Sequence, residues 1–337
     1  MPRYAGVRGT FGAYGAFGRP LDLPAVSRLA KLKSALGGRR DDAAGRDPVP
    51  FVVGAPRSGT TMLRLMLDAH PELAIPPETY FITKAHKVWR AAKRRPGENQ
   101  VESYIDAVVN HKRWPDFHLD GDAFAERVRE RNPKSLGEGV RCFYEMYAEK
   151  VGKPRWGDKT PFYVRKMDLI HGVLPETRFV HLIRDGRAVA LSIKDLWFGP
   201  DTIEGCAEFW VERLDEAREK ARELPHYMEV IYEDLVRDPE PNLRQIAEFI
   251  EIPFDERMVR FYENVDDRIA LETPPEEVAP DGRIVSTEER MKIMENLKRP
   301  PDPTRIDRWK TEMPAADIAK FEAIAGARLR ELDYPVS

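Results

Sequence analysis

Twice in this chain a short β-rich apolar run empties into a polar turn and leaves it as a helix. The first instance is "FVVGAPRSGTTMLRLML", residues 51–67, and the second is "RFVHLIRDGRAVALSIKDL", residues 178–196. The runs 51–53 and 179–183 are too short for helices and rich in Val, Ile and Phe, which suits buried strands. Behind the first turn, Met62, Leu63, Leu65, Met66 and Ala69 recur at helical spacing until Pro71 ends the pattern. Behind the second, Asp185 is placed to cap a helix over residues 188–196.

Strands separated by helices pair in parallel through crossovers, because a hairpin cannot join them. Two further segments extend the series. "GKPRWGDKTPFYVRKMDLIHGVLP", residues 152–175, reads as a short strand, a polar turn and a helix ended by Pro175. "MEVIYEDL", residues 228–235, reads as a fourth strand after the amphipathic stretch 204–224, whose Phe209, Trp210 and Leu214 face inward. "PEPNLRQIAEFIEIP" then gives a helix with proline at both ends. The expected fold is α/β, a doubly wound parallel sheet with helical insertions, in which ligands bind beyond the carboxyl ends of the strands. The turns at Gly54, Asp158 and Arg184 all open on that edge. Residues 101–155, with the aromatic group "RCFYEMY", are expected to form a helical insertion covering the sheet edge.

Residues 1–47 are rich in Gly, Arg and Ala and read as a flexible basic arm; residues 48–337 read as a single domain ending in a helix over 314–332. With 42% hydrophobic and 33% charged residues and a net charge of -3, overall electrostatics give no reason to expect nucleic acid as a partner. Any anion site is therefore local. Cys142 and Cys206 lack CxxC spacing and read as ordinary buried thiols, with a reducing, cytoplasmic setting as the default expectation. No apolar stretch reaches the roughly 20 residues of a membrane span, and no secretory signal opens the chain, so a soluble protein is expected. A homodimer is left open.

The first turn has the GxxxxG spacing of a phosphate loop, yet Thr60 and Thr61 stand where a nucleotide hydrolase carries lysine and a hydroxyl residue. The amides of residues 57–61 can still cradle an oxyanion at the helix start. Arg57 adds a planar fork of donors inside the loop, suited to a group with several oxygens. Alone, such a turn is also an ordinary strand-to-helix connection. A magnesium-dependent kinase calls for the loop lysine and an aspartate at a strand end, whereas here Arg184 precedes Asp185. The seven histidines form no HxH or HExxH group, and the carboxylates of "EDL", residues 233–235, read as capping and surface charge, so no metal is expected.

The two motifs together resemble those of sulfotransferases that use 3′-phosphoadenosine 5′-phosphosulfate (PAPS), in the branch holding tyrosylprotein and many bacterial sulfotransferases. The likeness covers residues 51–252. It implies that Arg57, Ser58, Gly59, Thr60 and Thr61 hold the 5′-phosphosulfate, and that Arg184 and Ser192 grip the 3′-phosphate. Glu78, in "HPELAIPPETYF", falls where that branch has its catalytic glutamate; a first-turn glutamate of a helix after Pro77 is the bland alternative. Desolvation is expected to raise its pKa. Other sulfotransferases use a histidine base, for which His70 and His86 are available. Lys159, in "WGDKTP", resembles the lysine that contacts the bridging oxygen; a surface lysine in a turn is its alternative. Tyr232 resembles a tyrosine near the nucleotide, and fits a core aromatic equally well. "LKRPPDPTRIDRWK" resembles a segment that closes over the nucleotide, with Lys298 and Arg305 as weaker members and Arg308 and Trp309 as stronger ones.

The resemblance implies transfer of a sulfuryl group from PAPS to a hydroxyl by in-line displacement, with no metal. An ATP-dependent kinase and a catalytically silent nucleotide-binding module are the alternatives. The acceptor, a small-molecule alcohol or phenol, a sugar or a protein tyrosine, is left unnamed. Its site is expected among residues 79–155 and 254–299, where Tyr80, Phe81, Trp89, Phe143 and Tyr144 are aromatic candidates for a pocket.

Overall fold

The computed structural model describes residues 45–194, 196, 199–265, 277–278, 284–288 and 295–337. The arm expected over residues 1–47 lies outside them up to residue 44.

Four strands, β1 (Val49–Gly54), β4 (Asp158–Lys159), β5 (Thr177–Ile183) and β6 (Tyr227–Ile231), form one parallel sheet in the order β4-β1-β5-β6. Strand β1 is central and buried along its length. It pairs with β4 and β5, and β5 pairs with β6. The strand alternation sorts side chains to two faces, as a period of two requires. Phe51, Val53 and Phe179 enter one apolar cluster, while Val52, Val180, Leu182 and Val230 enter another. Each such side chain, fully removed from water, contributes about 1.5–3 kcal/mol. Helix α1 (Thr60–Asp68) covers the second face through Met62, Leu63 and Met66. Both faces are clothed, as expected for a doubly wound sheet.

Four helices follow α1: α2 (Phe81–Arg94), α3 (Gln100–Val109), α4 (Gly121–Arg131) and α5 (Leu136–Lys150). Asn99, Asp120 and Ser135 cap the last three by accepting first-turn amides, each cap contributing about 1 kcal/mol. Sequence places this insertion over the sheet edge. Its aromatic core instead joins Phe51 and Phe179 on one face. Phe143 is the hub, touching Phe81, Phe117 and Tyr144 with ring centroids 4.8, 4.8 and 5.1 Å away. Its loss would cost about 3–5 kcal/mol. Phe81, Trp89, Phe143 and Tyr144 are thus core residues, and only Tyr80 of the expected pocket aromatics faces the site described below.

Short strands β2 (Leu73–Ala74) and β3 (Arg155–Trp156) pair in parallel beside the main sheet. After β4 come α6 (Met167–Val173), then α7 (Gly186–Ile193) behind β5, and α8 (Ile203–Ala221). The strand expected over residues 228–235 ends at Ile231. Tyr232 begins helix α9 (Tyr232–Arg237), whose first turn carries Glu233 and Asp234, favourable at a positive helix start. Helix α10 (Pro239–Phe249) follows. A two-stranded ladder, β7 (Glu277–Val278) with β8 (Ile284–Val285), and helices α11 (Arg308–Glu312) and α12 (Ala315–Glu331) complete the described chain. Helix α12 packs on α7 and α8 through Phe321, Ala325 and Leu329. No described helix is long and apolar enough to cross a membrane, and both cysteines are buried free thiols.

Candidate active site

The register of the sheet decides what meets at its carboxyl edge. Val52 stands opposite Lys159, Gly54 opposite Leu182, and Ile183 opposite Ile231. The residues just beyond these positions, the loop 55–59, Arg184 and Tyr232, therefore emerge side by side.

Two glycines shape the loop. A Cβ on Gly54 would lie 2.6 Å from the Leu182 carbonyl oxygen, closer than parallel strands tolerate. Gly59 has φ +89°, and a Cβ there would meet the Tyr232 ring at 2.4 Å. Arg57 also takes a left-handed backbone, φ +70°. The Ser58 amide closes a turn on the Ala55 carbonyl at 3.2 Å, and the Gly59 carbonyl accepts from Met62 and Leu63. The amides of Gly59, Thr60 and Thr61 precede the first intrahelical bonds and meet no backbone acceptor among the described residues. The buried Ser58 hydroxyl likewise has no partner there. This is a donor-rich cradle at a helix start, the chemistry an oxyanion needs.

Beside the cradle stand two guanidiniums. Arg184 donates from Nη1 to the Arg57 carbonyl at 3.0 Å and stacks on Tyr232 at 4.6 Å. Its buried Nε has no partner among the described residues. Burial and then the nearby Arg184 charge push the Arg57 pKa down, while Glu78 offsets this in part. Two like charges held this close favour a multiply charged anion between them. The main chain of Arg184 is fixed as well: its carbonyl accepts from the Trp210 indole at 3.0 Å, and the next amide, of Asp185, bonds Glu233 at 3.0 Å. Asp185 caps α7 as expected. Ser192, one turn and a half along α7, is half-buried, and its hydroxyl bonds back to the Ala188 carbonyl at 3.0 Å.

On the other side of the loop, Lys159 Nζ donates to Glu78 Oε1 at 2.6 Å and to Thr61 Oγ1 at 3.3 Å. Tyr80 holds the second carboxylate oxygen of Glu78 at 2.6 Å. Glu78 precedes the helix rather than lying in its first turn, because α2 begins only at Phe81. The expected rise in its pKa is not found. Burial does push it up, but Lys159, Arg113 and the hydrogen bonds from Lys159 and Tyr80 outweigh burial, and the net shift is downward. Lys159, almost wholly buried, is pushed down by desolvation, with Glu78 opposing.

Underneath lies a group that sequence reasoning missed. Asp158 is fully buried and accepts from Thr79 and Tyr144, both at 2.8 Å. The Thr79 amide donates to the Thr160 hydroxyl at 3.0 Å, and Tyr163 meets the Thr79 hydroxyl at 3.1 Å. Since Thr79 follows Glu78 and Lys159 follows Asp158, this network fixes the spacing of the carboxylate and the ammonium. Desolvation raises Asp158 to about 6. The only sequence signal was its place beside Lys159 in "WGDKTP".

The remaining expected residues lie elsewhere. His70, just past the far end of α1, accepts from the Glu72 amide and meets the Pro253 carbonyl at 3.0 Å. His86 is half-buried on α2. Arg308 is exposed and paired with Glu312 one turn on, while Trp309 is buried with the Arg187 guanidinium 3.7 Å over its ring. Lys298 and Arg305 are half-buried. Of the "EDL" carboxylates, Asp234 is at the surface as expected, but Glu233 is buried and accepts from Asp185 and Tyr334.

A family model described as "Sulfotransferase family" matches residues 48–256. The protein-tyrosine sulfotransferase A of Caenorhabditis elegans is 26% identical over 88% of this chain and 70% of its own length. The protein-tyrosine sulfotransferase of Drosophila melanogaster is 25% identical over 83% of this chain, which spans only 51% of that relative. Among solved structures, the sulfotransferase domain from the Synechococcus PCC 7002 olefin synthase superposes with a TM-score of 0.56 at 22% identity, covering 89% of this chain and 100% of that one. That likeness extends to the fold.

Proposed function

The chain belongs to the sulfotransferase family, PAPS-dependent enzymes, and from that premise we propose that residues 48–337 form one catalytic unit in which Glu78 is the base, with Arg57 and Lys159 flanking the transferring group. The observation that carries this reading is the single ammonium of Lys159 standing between the Glu78 carboxylate and the Thr61 hydroxyl at the mouth of the loop. Base, cation and anion cradle are thereby within one side chain's reach of each other.

The donor fits the residues present: orphan amides at the start of α1, the unpartnered Ser58 hydroxyl, and two adjacent arginines suit a phosphosulfate on one arm and a phosphate on the other. When bound, PAPS supplies a sulfonate whose S–O bond to the 5′-phosphate breaks as the acceptor oxygen bonds to sulfur. In the proposed scheme Arg57, Ser58, Gly59, Thr60 and Thr61 hold the phosphosulfate, and Arg184 with Ser192 holds the 3′-phosphate. Tyr232, already stacked under Arg184, is offered to the nucleotide, with Arg308 and Trp309 as outer members. Glu78 takes the proton of the acceptor hydroxyl. Lys159 neutralises charge building on the leaving oxygen, and the oriented loop amides act in the same sense. Positioning supplies much of the remaining rate.

For the acceptor we favour a phenol. Tyr80 and Phe162 form an aromatic pair, centroids 5.9 Å apart, beside Glu78, and Phe162 is one of the exposed large apolar side chains. Lys84, Lys112 and Arg113 gather their charge around His111, and Arg113 acts on Glu78 as well, which favours anionic groups flanking that phenol. A cytoplasmic site of action is part of the proposal, consistent with two free buried thiols.

The test is nucleotide protection followed by turnover. PAPS and its desulfated product should raise the melting temperature without magnesium, and ATP with magnesium should not; the reverse outcome would overturn the proposed donor site. Tyrosine peptides with aspartate or lysine neighbours, small phenols, alkyl alcohols and sugars are then compared by mass-spectrometric detection of sulfated product. Donor protection without any product from these acceptors would favour the silent binding module.

A further inference from the structure

The C-terminal tail is tied into the main chain around Arg184. Helix α12 ends at Glu331, and the chain turns back at Asp333, whose φ of +59° reverses its direction. Tyr334 then donates its hydroxyl to Glu233 Oε2 at 2.7 Å, and the other oxygen of Glu233 holds the Asp185 amide at 3.0 Å. One residue on, the Pro335 carbonyl accepts from Arg187 Nη1 at 2.7 Å. The same Arg187 nitrogen donates to Glu322 of α12 at 2.6 Å, and the other edge of its guanidinium grips Asp185 from Nε and Nη2 at 3.0 and 2.8 Å. Its flat face lies on Trp309.

These contacts share one target. Asp185, immediately after Arg184, is bonded at its amide and its carboxylate to two groups, and each of those is held in turn by the tail. Glu233, Asp185 and Arg187 are all buried. Buried charged hydrogen bonds are geometrically demanding, and a lost partner leaves a charge unsatisfied. The tail therefore acts on where the Arg184 side chain can reach, although it touches neither Arg184 nor the loop in any described hydrogen bond.

Resting on the reading of Arg184 as a 3′-phosphate ligand, we infer that Tyr334 and Pro335 are positioning residues that latch the strand end carrying Arg184 and so set selectivity for a 3′-phosphorylated nucleotide. The latch spans the two ends of the Asp185 peptide: Glu233 fixes its amide, and Arg187 fixes its side chain. Releasing one end loosens the Asp185 peptide, which weakens most the arm of the ligand that Arg184 meets.

The experiment is calorimetric titration of the full chain with adenosine 3′,5′-bisphosphate and with adenosine 5′-phosphate, for the wild type, Tyr334→Phe and a chain ending at Asp333. Tyr334→Phe keeps the ring and removes one hydroxyl, so it remains informative should the shortened chain fold poorly. The wild type is expected to prefer the bisphosphate. Both variants are expected to lose about five- to tenfold of that preference through weaker bisphosphate binding, the net scale of one ordinary hydrogen bond. A general packing role would weaken both nucleotides equally, and that result overturns the latch. So does a wild-type preference that both variants retain, in which case Arg184 keeps its assigned role. A wild type that binds the two nucleotides alike removes the assignment of Arg184, and the latch with it.

Discussion

Lys159 Nζ lies 2.6 Å from Glu78 Oε1, with the lysine almost fully buried and the carboxylate a quarter exposed. The exposed side of the pair is therefore the carboxylate, which is the side an acceptor would approach. Because Lys159 and Arg113 together outweigh desolvation, Glu78 stays ionised below its ordinary range. The acidic limb of kcat/KM is expected below the usual carboxylate pKa, and Lys159→Met should move it upward, since burial then dominates. Glu78→Gln should lower kcat by about a hundred- to ten-thousand-fold while leaving nucleotide affinity nearly unchanged. A pH–rate profile with parallel nucleotide titrations checks both; an acidic limb unmoved by Lys159→Met would break the proposed coupling.

Arg57 and Arg184 bring two positive charges together with no ion pair between either and a carboxylate among the described residues. Removing one should relieve repulsion as well as remove a ligand contact. Arg184→Ala is thus expected to leave the melting temperature of the ligand-free protein unchanged or slightly higher, while weakening adenosine 3′,5′-bisphosphate by at least about tenfold. Calorimetry and a thermal scan in the absence of nucleotide measure the two effects separately. A large loss of ligand-free stability would mean that Arg184 serves the fold.

What the sequence disclosed was local. The two strand-turn-helix units were legible because each is an apolar run with its own cap or glycine, and the cradle followed from Gly54 and Gly59. Properties set by distant partners were not. The sign of the Glu78 shift depends on a lysine 81 positions away, and the burial of Glu233 on a tyrosine 101 positions away. The end of β6 was obscured because Val230, Ile231 and Tyr232 all suit a strand, so nothing local marks where the helix starts.

Gly59 carries a prediction on stability. Alanine there needs a left-handed backbone and places its Cβ 2.4 Å from the Tyr232 ring. Backbone strain of about 1–2 kcal/mol and overpacking of about 1–3 kcal/mol should add. Gly59→Ala is expected to lower the unfolding free energy by the sum, and Tyr232→Ala in the same chain to recover only the steric part. Denaturant unfolding of the single and double variants reads the difference directly; complete recovery would show that the backbone is not strained.

Asp158 gives the pH dependence that runs against the common pattern. Its folded pKa, about 6, lies above the ordinary value of 3.8, so the folded chain binds more protons than the unfolded one between those values. Stability from this group is therefore greatest at low pH and falls as pH rises through about 6, by about 3 kcal/mol in all. Glu78 acts in the opposite sense: held down by Lys159, it contributes stability that is lost as pH falls. The two must be separated by substitution. Asp158→Asn keeps an oxygen for Thr79 and Tyr144 but cannot titrate, so the difference in unfolding free energy between variant and wild type should narrow from pH 4 to pH 7. Urea unfolding across that range measures it, and a constant difference would mean that Asp158 is already ionised throughout.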